Sequence, residues 1–388
     1  MITHLIQKLV LTLAITFALG THALEPIKIG TTQSLTGHYS EQGTEQLRGL
    51  QMWAADVNAR GALLGRTVEI IYYDDGSRDA GTVAGFEKLL DVDKADLLVG
   101  PYSSSLTLKA SLVAEAHNTP MVSTAASAEE IWNRGLKNIF GADTPADDYL
   151  EGISIAADAG AKTVAVVYAE TEFGREVAES MRNGDGDHDS ERVIFYEGYA
   201  PDERDFTALS ERIKQADADL ILGVSYVSDS IALARDLRKA GATPYMLAFT
   251  IGPGLREFGD ELGDEAEGIV GVVQWLRSSR QPGAEDFAYR YNQRYGSNPG
   301  VYAVIGYSAG EILEAAVRLA GTVEHNAVRE QLRSMYIHAL IGSYHVDKTG
   351  RQIGRRNLVL QWQDGRRRLI APESVAEQPL IYPLPDRN

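Results

Sequence analysis

The chain has 388 residues, 44% of them hydrophobic and 23% charged, with no cysteine and a formal net charge of −17. That length is too great for one ordinary core and fits two domains, and the absence of cysteine excludes disulfides, thiolate metal sites and cysteine nucleophiles. So acidic a chain repels nucleic acid and anionic lipid surfaces, which argues against both as partners.

Residues 1 to 23 read as an export signal. Lys8 supplies the positive start, Leu9–Gly20 is an apolar run of about a dozen residues, and Thr21-His22-Ala23 gives a small-x-small cleavage pattern. A membrane span needs roughly 20 apolar residues, so this segment is too short to be one. With no cysteine beside the cleavage point, the mature chain carries no lipid there. The expectation is an unanchored protein of a Gram-negative periplasm, with no membrane insertion after cleavage.

From Pro26 onward, short β-branched runs alternate with amphipathic helical patterns. Strands are predicted at Ile27–Thr31, Val68–Tyr73, Leu97–Gly100 and Pro120–Ser123, with helices over Gly43–Ala59, Ala80–Leu90 and Leu106–His117. The polar, Pro-containing segment Gly141-Ala142-Asp143-Thr144-Pro145 interrupts the pattern and suits a strand crossing between domains. A second block follows, with strands at Thr163–Tyr168, Val193–Tyr199, Leu220–Gly223 and Tyr245–Ala248. Its helices are Ala146–Ala159, Glu172–Arg182, Asp205–Gln215 and Ser228–Ala240. Such alternation builds parallel sheets with crossover helices. The tail adds helices over Pro282–Tyr295, Val301–Ala320 and Ala327–Met335, then strands around Ser343–Val346 and Leu358–Trp362. That order returns the chain to the first domain and carries it across once more. The predicted division is residues 24–143 with 272–347, and 144–271 with 348–388.

Ligands of open α/β sheets sit beyond the carboxyl ends of the strands, at helix N-termini. The rule selects Ser34–Gly43, Pro101–Ser105 and Ser123–Ser127 in the first block, and Ala169–Phe173, Ser225–Asp229 and Phe249–Gly252 in the second. Ser103-Ser104-Ser105 is the sharpest of these. A hydroxyl at a helix start either caps the helix or, with the free amides, holds an anion or a carbonyl oxygen. Tyr102 and Tyr226 either line a cleft or pack.

Two motifs invite a catalytic or metal reading. Gly306-Tyr307-Ser308-Ala309-Gly310 matches a nucleophile elbow, but the order acid then histidine required downstream is missing, because His325, His338 and His345 all precede Asp347. Asp185-Gly186-Asp187-His188-Asp189 begins like a calcium loop, yet Ser190 and Tyr196 stand where glycine and glutamate are needed. No metal spacing or cofactor motif occurs. The basic runs Arg355-Arg356 and Arg366-Arg367-Arg368 flank a predicted strand and read as a solvated face, with docking to a membrane partner as the alternative.

Several segments, in order and with matching spacing, carry a family resemblance. They include Ile29-Gly30, Ser34-Leu35-Thr36-Gly37, Asn58-Ala59-Arg60-Gly61, Leu64-Gly65-Arg66 and Tyr73-Asp74-Asp75. Leu98-Val99-Gly100-Pro101, Pro120-Met121-Val122-Ser123, Phe173-Gly174 and Arg204-Asp205-Phe206 follow. With them the mature chain resembles the branched-chain amino-acid and amide binding proteins of ABC transporters. The resemblance implies an α/β fold of two Rossmann-like, doubly wound lobes joined by hinge strands, the type I periplasmic binding protein fold. It implies closure over a small-molecule ligand, an ABC permease in the inner membrane as partner, no cofactor and no catalysed reaction. The positions that hold the ligand carboxylate in leucine-type members correspond to Ser104, with Ser105 beside it, and to Ala126 with Ser127. Phe173 and Tyr226 correspond to aromatics of the second lobe, and Tyr102 adjoins the serines. Thr250 stands where leucine binders place a glutamate against the ligand ammonium, leaving Asp229 and Glu172 as the nearest acids. Gln42 replaces a cleft tryptophan, with Tyr39 close by. These departures leave branched-chain amino acids, amides or ureas, and small carboxylates all open as ligands. A sensing receptor of the same fold is the alternative function, and a hydrolase using Ser308 the third.

Overall fold

The computed structural model describes residues 24–150, 155, 160–183 and 192–384. The export signal, most of the helix expected over Ala146–Ala159 and the Asp185–Asp189 loop lie outside them. Two sheets carry the architecture. In the first, β1 (Ile27–Gln33), β2 (Val68–Asp74), β3 (Leu97–Val99), β4 (Met121–Ser123) and β5 (Ile139–Gly141) lie in the order 2-1-3-4-5, every neighbouring pair parallel. The second repeats that order as 7-6-8-9-10, with β6 (Val164–Ala169), β7 (Val193–Tyr199), β8 (Leu220–Val224), β9 (Met246–Phe249) and β10 (Val270–Val273). A short hairpin, β11 (Ile337–Ala339) with β12 (Gly342–Tyr344), stands apart from both. Beyond β10, β13 (Leu358–Gln363) and β14 (Arg366–Ala371) extend the second sheet antiparallel.

Among the described residues, the helices of ten or more residues are α1 (Ser40–Ala59), α2 (Asp79–Asp91), α3 (Ser104–Ala116), α4 (Glu172–Asn183), α5 (Thr207–Ala216), α6 (Val227–Ala240), α7 (Ala284–Tyr295), α8 (Val301–Ala320) and α9 (His325–Ser334). Alternating side chains of each strand point to opposite faces, so each sheet has a core on both sides. In the first sheet Val99, Val122 and Phe140 join α1, α7 and α8 on one face. Leu98, Met121 and Ile139 join Phe86, Leu89 and Leu108 of α2 and α3 on the other. In the second, Ala165 and Val167 pack toward Leu209, Leu233 and Leu237, while Val164 and Val166 pack toward Phe173, Val177 and Met181.

This is the doubly wound arrangement expected from the sequence, built twice. The chain passes between the sheets after β5, after β10 and again before β13. Those passages place the carboxyl ends of the two sets of strands against each other. The basic runs are not wholly solvated: Arg367 is half-buried on β14 and donates to the Gly254 carbonyl, and the Arg355 guanidinium is buried where the chain crosses.

Candidate functional site

β3 ends at Val99 and α3 begins at Ser104, so the turn between them delivers a helix N-terminus to the edge of the first sheet. Ser103 caps that helix, its hydroxyl accepting the Leu106 amide at 3.4 Å. It does so with φ +83° and ψ 151°, a backbone region nearly confined to glycine. The Ser104 hydroxyl accepts the amides of Ser127 at 3.2 Å and Ala128 at 3.1 Å, tying the loop after β4 to the helix start. The first-turn amides of α3 have no carbonyl within their own helix to bond, and the positive end of the helix dipole adds to them. Ser127 in turn donates to Asp143 Oδ2 at 3.2 Å.

These groups form one wall of a cavity of about 50 Å³ between the two sheets. Tyr102, Ser103, Ser104, Ala125, Ser127 and Asp143 line it together with Tyr149, Phe173, Tyr226, Gln274 and Tyr302. Aromatic side chains line it beside aliphatic ones such as Ile251, Leu255 and Val272. Rings run in contact from Tyr302 to Tyr102 (5.0 Å between centroids), Tyr39 (4.9 Å), Tyr226 (5.9 Å), Phe173 (6.2 Å) and Tyr149 (5.0 Å). The Tyr102 and Tyr302 hydroxyls meet at 3.2 Å. Tyr39 and Tyr226 come from opposite sheets, so the chain of rings spans the gap.

Asp143 is the acidic side chain among the described residues that line the cavity. Burial raises its carboxyl to about 7, against the pull of the Arg355 guanidinium and of hydrogen bonds from Ser127 and Gln274. A cation brought beside it favours its ionised form.

Of the residues singled out from the sequence, the structure brings Tyr102, Ser104, Ser127, Phe173 and Tyr226 together around the cavity. It does not bring Ser105, Ala126 or Thr250 to the lining. The Ser105 hydroxyl donates to Glu172 Oε2 at 2.5 Å, joining α3 to α4 across the gap. Ala126 is buried among the apolar side chains beneath α3, and its neighbour Ala125 faces the cavity instead. The Thr250 hydroxyl is fully buried, donating to the Ser225 carbonyl at 3.0 Å and accepting the Ser225 amide at 3.1 Å, which ties the ends of β8 and β9 together. Nor do the acids expected to replace a glutamate reach the lining: Asp229 is buried and accepts the Tyr199 hydroxyl at 2.7 Å. Gln42 is buried, its side-chain oxygen without a partner among the described residues, and Tyr39 packs its ring against Tyr102.

Sequence reasoning missed Asp143, Tyr149, Gln274 and Tyr302. A usable signal existed for Gln274, a polar residue inside the otherwise apolar run Ile269–Leu276. Asp143 looked like any polar linker residue. Tyr302 sits on the apolar stripe of a long helix, where it reads as core.

The motifs resembling other chemistry resolve physically. Ser308 lies mid-helix in α8, fully buried, and its hydroxyl accepts the Ile341 amide at 2.9 Å. A nucleophile elbow requires a strand-to-helix turn, which is not what these residues form. Among the described residues, no group of His, Asp and Glu is placed to hold a metal ion, and no helix is long and apolar enough to cross a membrane.

Two doubly wound sheets of matching strand order, with a small polar and aromatic cavity between their carboxyl edges, define a two-lobed small-molecule-binding fold. The chain matches the periplasmic binding protein family over residues 26–367 and belongs to it. It is 24% identical over 382 residues to "Leu/Ile/Val-binding protein homolog 7" of Brucella abortus, covering 92% of this chain and 94% of the relative. The leucine-binding protein LivK of Thermotoga maritima has a similar structure, with a TM-score of 0.80 at 22% identity, covering 89% of this chain and 98% of that one. A solute-binding protein of R. palustris in complex with benzoate reaches a TM-score of 0.77 at 19% identity, covering 90% and 99%. The fold is that of type I periplasmic binding proteins.

Proposed function

We propose that this protein is the periplasmic solute-binding component of an ABC importer, and that it captures an α-amino acid with an apolar side chain. Residues 24–143 with 272–347 form one lobe and 144–271 with 348–388 the other, and the ligand is handed to a permease in the inner membrane. The observation that carries the ligand class is that Asp143 and the start of α3 line the same cavity. One serine, Ser127, bonds to both Asp143 and Ser104. A helix start with free amides and a carboxylate thus face one cavity, linked through a single serine, and they suit the carboxylate and the ammonium of one amino acid. A buried ammonium without an acidic partner costs several kcal/mol, and Asp143 fills the role that Thr250 leaves open. The aromatic rings suit an apolar side chain.

Closure follows from differential contact. A ligand touching Ser104 and Ser127 on one lobe and Phe173 and Tyr226 on the other makes its full set of contacts only when both lobes meet, and so shifts the population toward the closed state. A second reading, an aromatic carboxylate, is favoured by the ring-lined walls and by the benzoate complex of the R. palustris neighbour.

A thermal-shift panel on protein stripped of ligand by unfolding and refolding separates the two. L-leucine and L-phenylalanine are set against 4-methylpentanoate and benzoate. A ligand at a hundred times its Kd stabilises by about 2.7 kcal/mol. The proposal expects shifts from the amino acids alone; shifts from the carboxylates alone would replace it with the second reading.

A further inference from the structure

Three chain crossings join the lobes, and each brings a polar side chain to one cluster: Asp143 after β5 and Gln274 after β10, which line the cavity, and Arg355 before β13, which lies behind them. Gln274 bridges the other two. Its Nε2 donates to Asp143 Oδ1 and lies 3.3 Å from the Tyr149 hydroxyl, while its Oε1 accepts Arg355 Nη2 at 3.0 Å. The same Nη2 donates to the Ala142 carbonyl. Arg355 Nε and Nη1 are buried without a hydrogen-bond partner among the described residues.

This arrangement has a direction. A guanidinium only donates, so Arg355 fixes which end of the Gln274 amide faces it. The amide nitrogen must then face Asp143, where it can only donate. Both effects, the positive charge and the oriented donor, favour the ionised carboxylate over the neutral acid. Burying a guanidinium away from any carboxylate contact is costly, and the cost is offset where its charge serves a neighbouring acid.

We infer that Arg355 and Gln274 are positioning residues which, acting through Asp143, give the site its preference for ligands bearing a positive group. Arg355 lies behind the lining and Gln274 forms part of it, and both act on the ligand's positive group through Asp143. The part concerning the ligand rests on the function proposed above; the part concerning Asp143 does not. Asp143 is also faced by Tyr149 from its own segment, by Ser127 from the loop after β4 and by Tyr302 from α8, while Asp148 acts on Tyr149 and Arg355. Asp148 is paired with Arg356 at 3.2 Å. Arg355 is thus the positive charge that acts on Asp143, and it feels Asp148 as well.

The test is a carbon-13 NMR titration of the aspartate carboxyls in ligand-stripped protein, with Asp143 assigned by its loss in Asp143→Asn. In Arg355→Met the Asp143 midpoint is expected to rise by about one pH unit or more, and Arg355→Lys, which restores the charge, is expected to reverse most of that rise. Gln274→Met removes the bridge, leaves both charges in place and is expected to raise the midpoint as well, giving a second arm if Arg355→Met does not fold. An unchanged midpoint in the Met variants, or an equal rise in Arg355→Lys, would overturn the inference. L-leucine binding is measured in the same samples between pH 5.5 and 8. If wild type binds it, the pH at which affinity is gained is expected to move upward with the Asp143 midpoint, and a profile that stays put overturns the ligand part. If Asp143 moves as expected while wild type binds no L-leucine, the relay stands and the amino-acid reading fails.

Discussion

Ser103 is the residue whose backbone departs most tellingly from what its side chain prefers. At φ +83° and ψ 151° it sits where a Cβ is strained by about 1–3 kcal/mol, and such strain persists where surrounding contacts impose it. Here the imposing contacts are its amide bond to the Ala125 carbonyl at 3.1 Å and its cap on Leu106. Ser103→Gly should relieve the strain while losing a cap, and so should leave stability within about 1 kcal/mol of wild type. Ser103→Val should cost more than about 2 kcal/mol, because a β-branched residue tolerates positive φ poorly; urea denaturation of both variants checks the contrast. Residue by residue, the hydroxyls and aromatics at strand ends were legible because the sheet rule points to them. Asp143 was not, since a single aspartate in a Pro-containing crossing has no local signature, and its role comes from burial and from two other crossings distant in sequence. Thr250 shows the converse: a position matched by resemblance carries a side chain committed to holding β8 and β9 together.

Among the elements, the packing of α1 on α8 depends on the absence of side chains. A Cβ on Gly49 would strike the Ala303 carbonyl, one on Gly306 the Gln46 carbonyl, and one on Gly310 the Trp53 ring. The residues that resemble a nucleophile elbow are therefore a close-approach seam between two helices. Polar contacts reinforce the seam, with Trp53 Nε1 donating to Glu314 at 3.0 Å and the Tyr307 hydroxyl to Asp56 at 2.8 Å. Gly306→Val should push the helices apart and destabilise by about 1–3 kcal/mol or more, whereas Ser308→Ala should cost about 1 kcal/mol and leave the fold intact. Thermal unfolding of the two variants ranks them. Long amphipathic helices and β-branched strands were readable within two or three residues, α1 beginning three residues before the expected Gly43, because periodicity records which face is buried. The three-residue β5 was missed, although β3 and β4, equally short, were read from their apolar runs. β14 was hidden because its first half, Arg366-Arg367-Arg368, reads as surface, and only pairing with β13 makes it a strand.

Over the whole molecule, acidic groups meet across the gap between the sheets. Glu172 accepts the Ser105 hydroxyl, Glu176 accepts the Glu129 amide at 2.6 Å, and Arg351 at the third crossing pairs with both Glu129 and Asp147 at 2.6 Å. Several carboxyls are pushed up to about 7: Glu41 by a shared hydrogen bond with Glu257 and by burial, and Glu45, Glu176, Glu311 and Asp143 chiefly by burial. A carboxyl whose folded-state value is raised holds its proton more tightly in the native state, so its contribution is present at acid pH and lost as pH climbs from the unfolded value near 4 through about 7. Ligand-stripped protein should therefore resist urea better at pH 5.5 than at pH 8. Glu41→Gln and Glu176→Gln should each flatten that slope, and a slope of opposite sign would contradict the account of these contacts. Two repeats of one strand order, three crossings and a cavity where they meet make closure the motion the architecture favours.

The central claim is that Asp143 holds the ammonium of an α-amino acid, and it is tested most directly by calorimetric titration of wild type and Asp143→Asn with L-leucine and with 4-methylpentanoate at pH 8. Removing one partner of a buried charge pair costs about 3–5 kcal/mol. The account predicts that wild type binds L-leucine and not the deaminated acid, and that Asp143→Asn loses L-leucine affinity by at least about a hundredfold. If Asp143→Asn binds L-leucine as wild type does, or if wild type prefers the deaminated acid, the claim is wrong.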